Sequence, residues 1–179
     1  MTRNTKPICM DALSEQGKDF YKAINEGSDL ACILISTSYL DQCLSSLLSH
    51  FFKVGDTSKR ILDSMGGAIG TFSVRNDLCY CLGLISKKNY QNIRTSIEIR
   101  NEFAHSHILL SFNDVSAFVD KLTFPYDVVQ AIRIENGESI EVSSPPFSGF
   151  TSPRVRFSII MTLLVNDVIV ETMSTRHIE

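Results

Sequence analysis

Ser96–His107, SIEIRNEFAHSH, gathers an arginine, an asparagine and two histidines at the end of a helix-patterned segment. Ile93, Ile97 and Ala104 recur on one face at about 100° per residue, and Arg100 falls on the same line. Asn101 and His105 are four apart and stack on the adjoining face. Arg100 and His105 lie roughly 140° apart around the axis, so they flank an edge without stacking. A guanidinium keeps its charge at any ordinary pH. Set in an apolar stripe it requires a carboxylate, and unpaired it costs about 3–5 kcal/mol. The expected partner is Asp41, in a structural ion pair between packed helices, with Asp77 as second candidate. The alternative that stays open puts Asp41 at the wet margin of its own stripe.

Other chemistry-bearing groups are sparser. The five cysteines are Cys9, Cys32, Cys43, Cys79 and Cys81. Cys79-x-Cys81 lacks the spacing of a CxxC knuckle and has no second pair, so no metal site is expected. The odd count and the polar, basic start Met1–Lys6 point to reduced thiols in a cytoplasmic protein. Gly66-Gly67-Ala68-Ile69-Gly70-Thr71-Phe72 lacks the Gly-Lys-Ser/Thr ending of a phosphate-cradling loop and reads as tight turning. His50 and His177 are isolated, and no Ser-His-Asp or Cys-His set assembles from spacing. Nothing calls for a cofactor.

The elements that must position these residues read as helices. Of 179 residues, 44% are hydrophobic and 21% charged, which suits one folded domain over 1–179. The net charge of −3 argues against a chain built to coat nucleic acid or anionic membrane. No apolar run approaches the roughly 20 residues of a membrane span. After a loose arm over 1–12, Leu13–Asn25 reads as a helix. Ser28-Asp29 caps a long second one, striped by Leu30, Ile33, Leu34, Thr37, Leu40, Leu44, Leu47, Leu48 and Phe51. Asp41 interrupts that stripe.

Lys53–Lys59 reads as a polar connection. Ser73–Ile85 is the next helix, lined by Val74, Leu78, Cys81, Leu82 and Ile85, with Gly83 inside it. Ser86 caps the helix that carries the opening motif, and Asn113–Leu122 is a further short one. The stretch 123–153 is a long irregular excursion rich in proline. Asn136-Gly137 between alternating runs is a hairpin signal within it. Pro153 opens a last helix, Arg154–Thr175, apolar nearly all round. Such a helix is central in a bundle or covered by a second subunit. The sum is an all-α helical bundle.

With these residues in place, the chain resembles the mannitol operon repressor (MtlR-like) family over roughly Phe20–His105, and more weakly in the last helix. The resemblance rests on Tyr39-Leu40-Asp41-x-x-Leu44, Gly67-x-x-Gly70-x-Phe72-Ser73-x-Arg75, Leu82-Gly83-Leu84-Ile85 and Ile99-Arg100-Asn101-x-Phe103-Ala104-His105. It marks Gly70, Phe72, Arg75, Gly83, Asn101, Ala104 and His105 as family-motif positions. It implies an all-α regulator of mannitol uptake genes with no evident helix-turn-helix. The sequence agrees, since no short helix pair leads into a polar, basic recognition helix. Arg75, Arg94 and Lys87-Lys88 read as scattered cations on a solvated face. Repression by contact with another regulatory protein, without direct nucleic-acid binding, is then the expected mechanism. A homodimer is expected from the family and from the last helix.

Arg100-Asn101-x-x-x-His105 also resembles the arginine–histidine signature of HEPN domains, many of them dimeric ribonucleases. That resemblance implies Arg100 stabilising a phosphorane and His105 moving a proton across a dimer cleft, without a metal. His107 stands as a spare. Arg100 on the stripe favours a scaffold role, and His105 at a helix end favours a hydrogen bond to a carbonyl. A non-enzymatic regulator is therefore the expectation, and the ribonuclease or its inactive descendant is the alternative.

Overall fold

The computed structural model describes residues 15–124, 129–135, 138–144 and 152–175. The expected arm over 1–12 lies outside these residues, as do Cys9 and His177. Seven helices and one two-stranded ribbon make up the described part: α1 (Glu15–Glu26), α2 (Asp29–Phe51), α3 (Asp56–Leu62), α4 (Phe72–Cys81), α5 (Lys87–His105), α6 (Ser116–Val119), β1 (Val129–Glu135), β2 (Glu138–Ser144) and α7 (Pro153–Ser174).

The starts are set by side-chain caps. Ser28, Thr71 and Ser86 each accept a hydrogen bond from the backbone N–H three residues on, at 3.2, 3.4 and 3.1 Å. Each such cap contributes about 1 kcal/mol. Proline stands at the first position of α7, where its missing N–H costs nothing. Asp56–Leu62 forms a helix that takes in the second half of the Lys53–Lys59 connection together with Ile61-Leu62, where a short helical turn is expected, carrying Asp56 in its first turn and Lys59 and Arg60 in its last. The Asn113–Leu122 helix shrinks to the single turn of α6.

α2 is the axle. α1, α3, α4, α5 and α7 all pack on it, which is why its buried arc is wide: Cys32, Ile33, Ser36, Thr37, Leu40, Cys43, Leu44, Leu47 and Leu48. Burying each large aliphatic side chain contributes about 1.5–3 kcal/mol. The two buried hydroxyls bond back to Ile33 O, from Ser36 at 3.3 Å and Thr37 at 2.7 Å, so they need no outside partner. α7 lies along α2 and buries Phe157, Ile160, Met161, Leu164, Val165 and Val168 in the bundle. One hydrophobic cluster draws on every helix, from Phe20 in α1 and Leu62 in α3 to Val119 in α6 and Phe157 in α7.

Against the expectation from hydropathy, α2 and α7 are both long and apolar enough to cross a membrane by length and composition. They bury 56% and 44% of their most apolar windows inside the bundle, largely against one another and their neighbours. Both are core helices here.

Polar ties fix the ends. Arg154 donates to Asp29 Oδ1 at 2.5 Å, to Gly27 O at 2.6 Å and to Ile24 O at 3.2 Å, joining the start of α7 to the α1–α2 turn. Asn92 donates to Thr123 O at 2.6 Å and accepts from Thr123 N at 2.9 Å. Within the long excursion, β1 and β2 pair antiparallel from Val129↔Ser144 to Glu135↔Glu138. That register leaves a two-residue connection at Asn136-Gly137, as the hairpin signal requires. The connection itself lies outside the described residues.

Candidate functional site

The carboxylate of Asp41 is held by Arg75, and not by Arg100 as the sequence suggested. Arg75 Nη1 donates to Asp41 Oδ1 at 2.7 Å. Its Nη2 donates to Leu62 O and to Ser64 Oγ, both at 3.0 Å. The arginine side chain is 2% exposed and the aspartate 27%. Arg75 Nε is buried without a hydrogen-bond partner. Far from serving a solvated face, Arg75 is the largest fully buried side chain among the described residues.

The glycine stretch builds this cage. Gly67 N donates to Asp63 O, Ile69 N to Ile61 O and Gly70 N to Gly67 O, at 2.8, 2.7 and 3.0 Å. The chain thereby folds back and aims Leu62 O and Ser64 at the guanidinium. A Cβ on Gly67 would lie 2.7 Å from Arg60 O and closer still to Ile61 O, and one on Gly70 would lie 2.6 Å from Asp63 O. These glycines permit close backbone approach and leave no phosphate cradle.

Arg100 is half-buried. Among the described residues neither a hydrogen bond nor an ion pair joins it to Asp41 or to Asp77. It lies near enough to act through its field: burial raises the Asp41 carboxyl above its ordinary value, and the Arg75 hydrogen bond and charge, then the Arg100 charge, pull it back. The physical cause of the misplacement is a rotated stripe. α5 buries Asn89, Asn92, Ile93, Ser96, Ile99 and Phe103, a face turned by roughly 80° from the line through Ile97, Arg100 and Ala104. Asp77, the second candidate, accepts instead from the Tyr90 hydroxyl at 3.0 Å, and Tyr90 stacks on Tyr80 with centroids 4.6 Å apart.

The motif positions therefore divide. Phe72 and Arg75 sit in the core, Gly70 in the turn, and Gly83 takes φ +73° just past α4. Asn101, Ala104 and His105 are exposed on the last turns of α5, with His107 exposed beyond. Ile108 and Leu109 follow, 73% and 85% exposed. The expected carbonyl bond from His105 does not form. The helix end is closed instead by Ser106, whose N–H donates to Glu102 O at 3.1 Å and whose hydroxyl donates to Ile108 O at 2.8 Å. Among the described residues no carboxylate bonds His105 to orient it as a base. His50 Nδ1 lies 3.0 Å from Ser46 O on its own helix.

Cys79 is buried and Cys81 exposed, so the two thiols do not converge on one ion. No group of three His, Cys, Asp or Glu side chains able to hold a metal occurs among the described residues. Burial pushes the Cys43 and Cys79 thiols up to about 12.

α3 and α4 are separated by residues 63–71, far longer than the three- or four-residue turn of a helix-turn-helix. The lone cation of α4, Arg75, is turned into the core. What fold and surface define is an all-helical bundle with a buried ion pair as scaffold and an uncharged outer face on its last helix. Residues 16–144 match the family model described as mannitol repressor, and the chain belongs to that family. Among solved structures it is similar to the one titled as the X-ray structure of the MtlR–HPr complex from Escherichia coli. The TM-score is 0.61 at 16% identity, over 86% of this chain and 97% of that one. No curated protein matches.

Proposed function

We propose that this chain is a cytoplasmic, non-enzymatic transcriptional regulator of the mannitol-repressor type. It works as a single-domain homodimer that binds another protein, one of the HPr kind, and does not read DNA by itself. The observation that carries this reading is the shared fold with the MtlR of an MtlR–HPr complex, joined to membership of the family. The net charge of −3 supports it, because sequence-independent DNA affinity feeds on released counterions and needs a basic surface. The burial of Arg75 supports it too, since it takes a cation away from any groove-facing helix. The exposure of His105 and the half-buried Arg100 give the ribonuclease alternative no assembled pair to build on.

Calorimetric titration of the purified protein with HPr of the same cell is the test. The expected outcome is saturable binding that survives His105→Ala. Absence of binding to HPr, together with tight and steeply salt-dependent binding to promoter DNA, overturns the reading. Cleavage of RNA lost in His105→Ala also overturns it, in favour of the enzyme.

A further inference from the structure

The outer face of α7 carries a stripe that the described residues leave partly open, with Ile169 at its edge against the core. Val155, Ile159, Thr162, Asn166, Ile169 and Met173 recur at spacings of four and three, the seam spacing of paired helices. They stand opposite the buried line of Phe157, Met161, Leu164 and Val168. Val155 is 38% exposed and Met173 67%, and Val170 beside Ile169 is 63% exposed. Asn166 is exposed, and Ile159, Thr162 and Ile169 are half-buried. No charge interrupts the stripe.

Two properties say what covers it. First, the stripe is symmetric about its own middle. Turned end for end onto a second copy, Val155 meets Met173, Ile159 meets Ile169, and Thr162 meets Asn166. Apolar faces apolar, and the Thr162 hydroxyl, whose proton goes to Ser158 O at 2.9 Å, faces an amide that can donate to it. Secondly, antiparallel pairing opposes the helix dipoles, where parallel pairing would align them. The charges of α7 stay out of the seam: Arg154 is tied to Asp29, Arg156 to Leu122 O and Asp167 to Asn89 within the chain.

We infer that the outer face of α7 is the seam of an isologous dimer, in which two copies of α7 pack antiparallel with Thr162 and Asn166 paired across the two-fold axis. The inference rests on the homodimer proposed above and names its interface and register. Self-complementarity of this kind is what a two-fold interface demands. The Thr162–Asn166 pair fixes the register, as a single polar position does in a helical zipper.

Sedimentation of the full chain and disulfide trapping test it together. Val170→Glu, at a position exposed in the single chain, should leave the far-UV circular dichroism spectrum unchanged and raise the dimer dissociation constant by about tenfold or more. In a Cys9→Ser, Cys81→Ser background, Val155→Cys with Met173→Cys should give a covalent dimer under mild oxidation, and neither single variant should. A wild-type protein that stays monomeric at high concentration overturns the homodimer itself. A dimer that survives Val170→Glu overturns only the α7 seam. Trapping by Val155→Cys alone overturns the antiparallel register.

Discussion

Arg75 and Asp41 meet at 2.7 Å between α4 and α2, the guanidinium all but sealed from water and the carboxylate at its rim. Other polar side chains are buried in the bundle beside this pair. Asn76 donates to Tyr90 O at 3.2 Å, Asn89 to Asp167 Oδ2 at 3.0 Å, and Ser96 to Ile93 O at 2.7 Å, all from buried positions. Leaving one member of such a set without its partner is costlier than omitting the whole set.

Truncation at the pair should therefore be severe, and truncation at Arg100 should be mild. Arg75→Ala strands the Asp41 carboxylate, Leu62 O and Ser64 together, and a loss of about 3–5 kcal/mol is expected. Arg100 gives up no hydrogen bond or ion pair among the described residues, so Arg100→Ala should cost about 1 kcal/mol or less. Urea melts of both variants check this. Equal losses would mean that Arg100 carries a share of the Asp41 interaction that its field alone does not explain.

The fold was legible where apolarity and burial coincide. The stripe of α2, the caps Ser28 and Ser86, Pro153 at the head of α7 and the Asn136-Gly137 hairpin signal all follow from local pattern. The pairing of Asp41 was not legible, because α4 and α5 turn polar residues inward. Their apolar lines, Val74–Leu78–Leu82 and Ile97–Arg100–Ala104, are edges and not centres. A signal was present all the same. Asn89, Asn92, Ser96, Ile99 and Phe103 keep the three-and-four spacing of a buried seam once amides are admitted to it. Phe72, Arg75 and Cys79 do so on α4. An inward cation facing Asp41 was available on that line.

The sequence places Gly83 inside a helix, and it ends one instead. Its N–H donates to Tyr80 O at 3.0 Å and Leu84 N–H donates to Cys79 O at 2.9 Å, the bonding of a Schellman C-cap. At φ +73° a side chain is strained even though a Cβ there would meet open space. Gly83→Ala should cost about 1–2 kcal/mol, and Gly83→Asn less, since asparagine tolerates the left-handed region. Thermal melts of the two variants rank them, and an alanine variant as stable as wild type would dissolve this account.

The thiols divide by burial. Cys43 and Cys79, pushed up to about 12 by burial, are protonated and shielded at neutral pH. Cys32 is raised in the same direction, by burial first. Of the four described cysteines, Cys81 alone is exposed. Native alkylation followed by mass mapping should modify Cys81 quickly and the other three only once urea opens the bundle. Fast labelling of Cys79 would show that α4 lifts from α2 in the native state, and with it the Arg75 cage.

Asp41 ties that cage to pH. Burial raises its carboxyl above 3.8 more strongly than Arg75 and Arg100 lower it, so the folded chain keeps a proton that the unfolded chain has already released. Between 3.8 and the raised value the native state binds more protons. Stability therefore falls as pH rises through that window. Asp41→Asn keeps an acceptor for Arg75 Nη1 and removes the titration. The stability of wild type relative to this variant should thus be greatest at the acid end, decline as the pH is raised, and level off once Asp41 is ionised in both states. Paired urea melts at steps upward from about pH 4 measure the difference directly. A relative gain of wild type with rising pH would reverse the sign, and would mean that the 2.7 Å contact with Arg75 outweighs the desolvation of the carboxylate it holds.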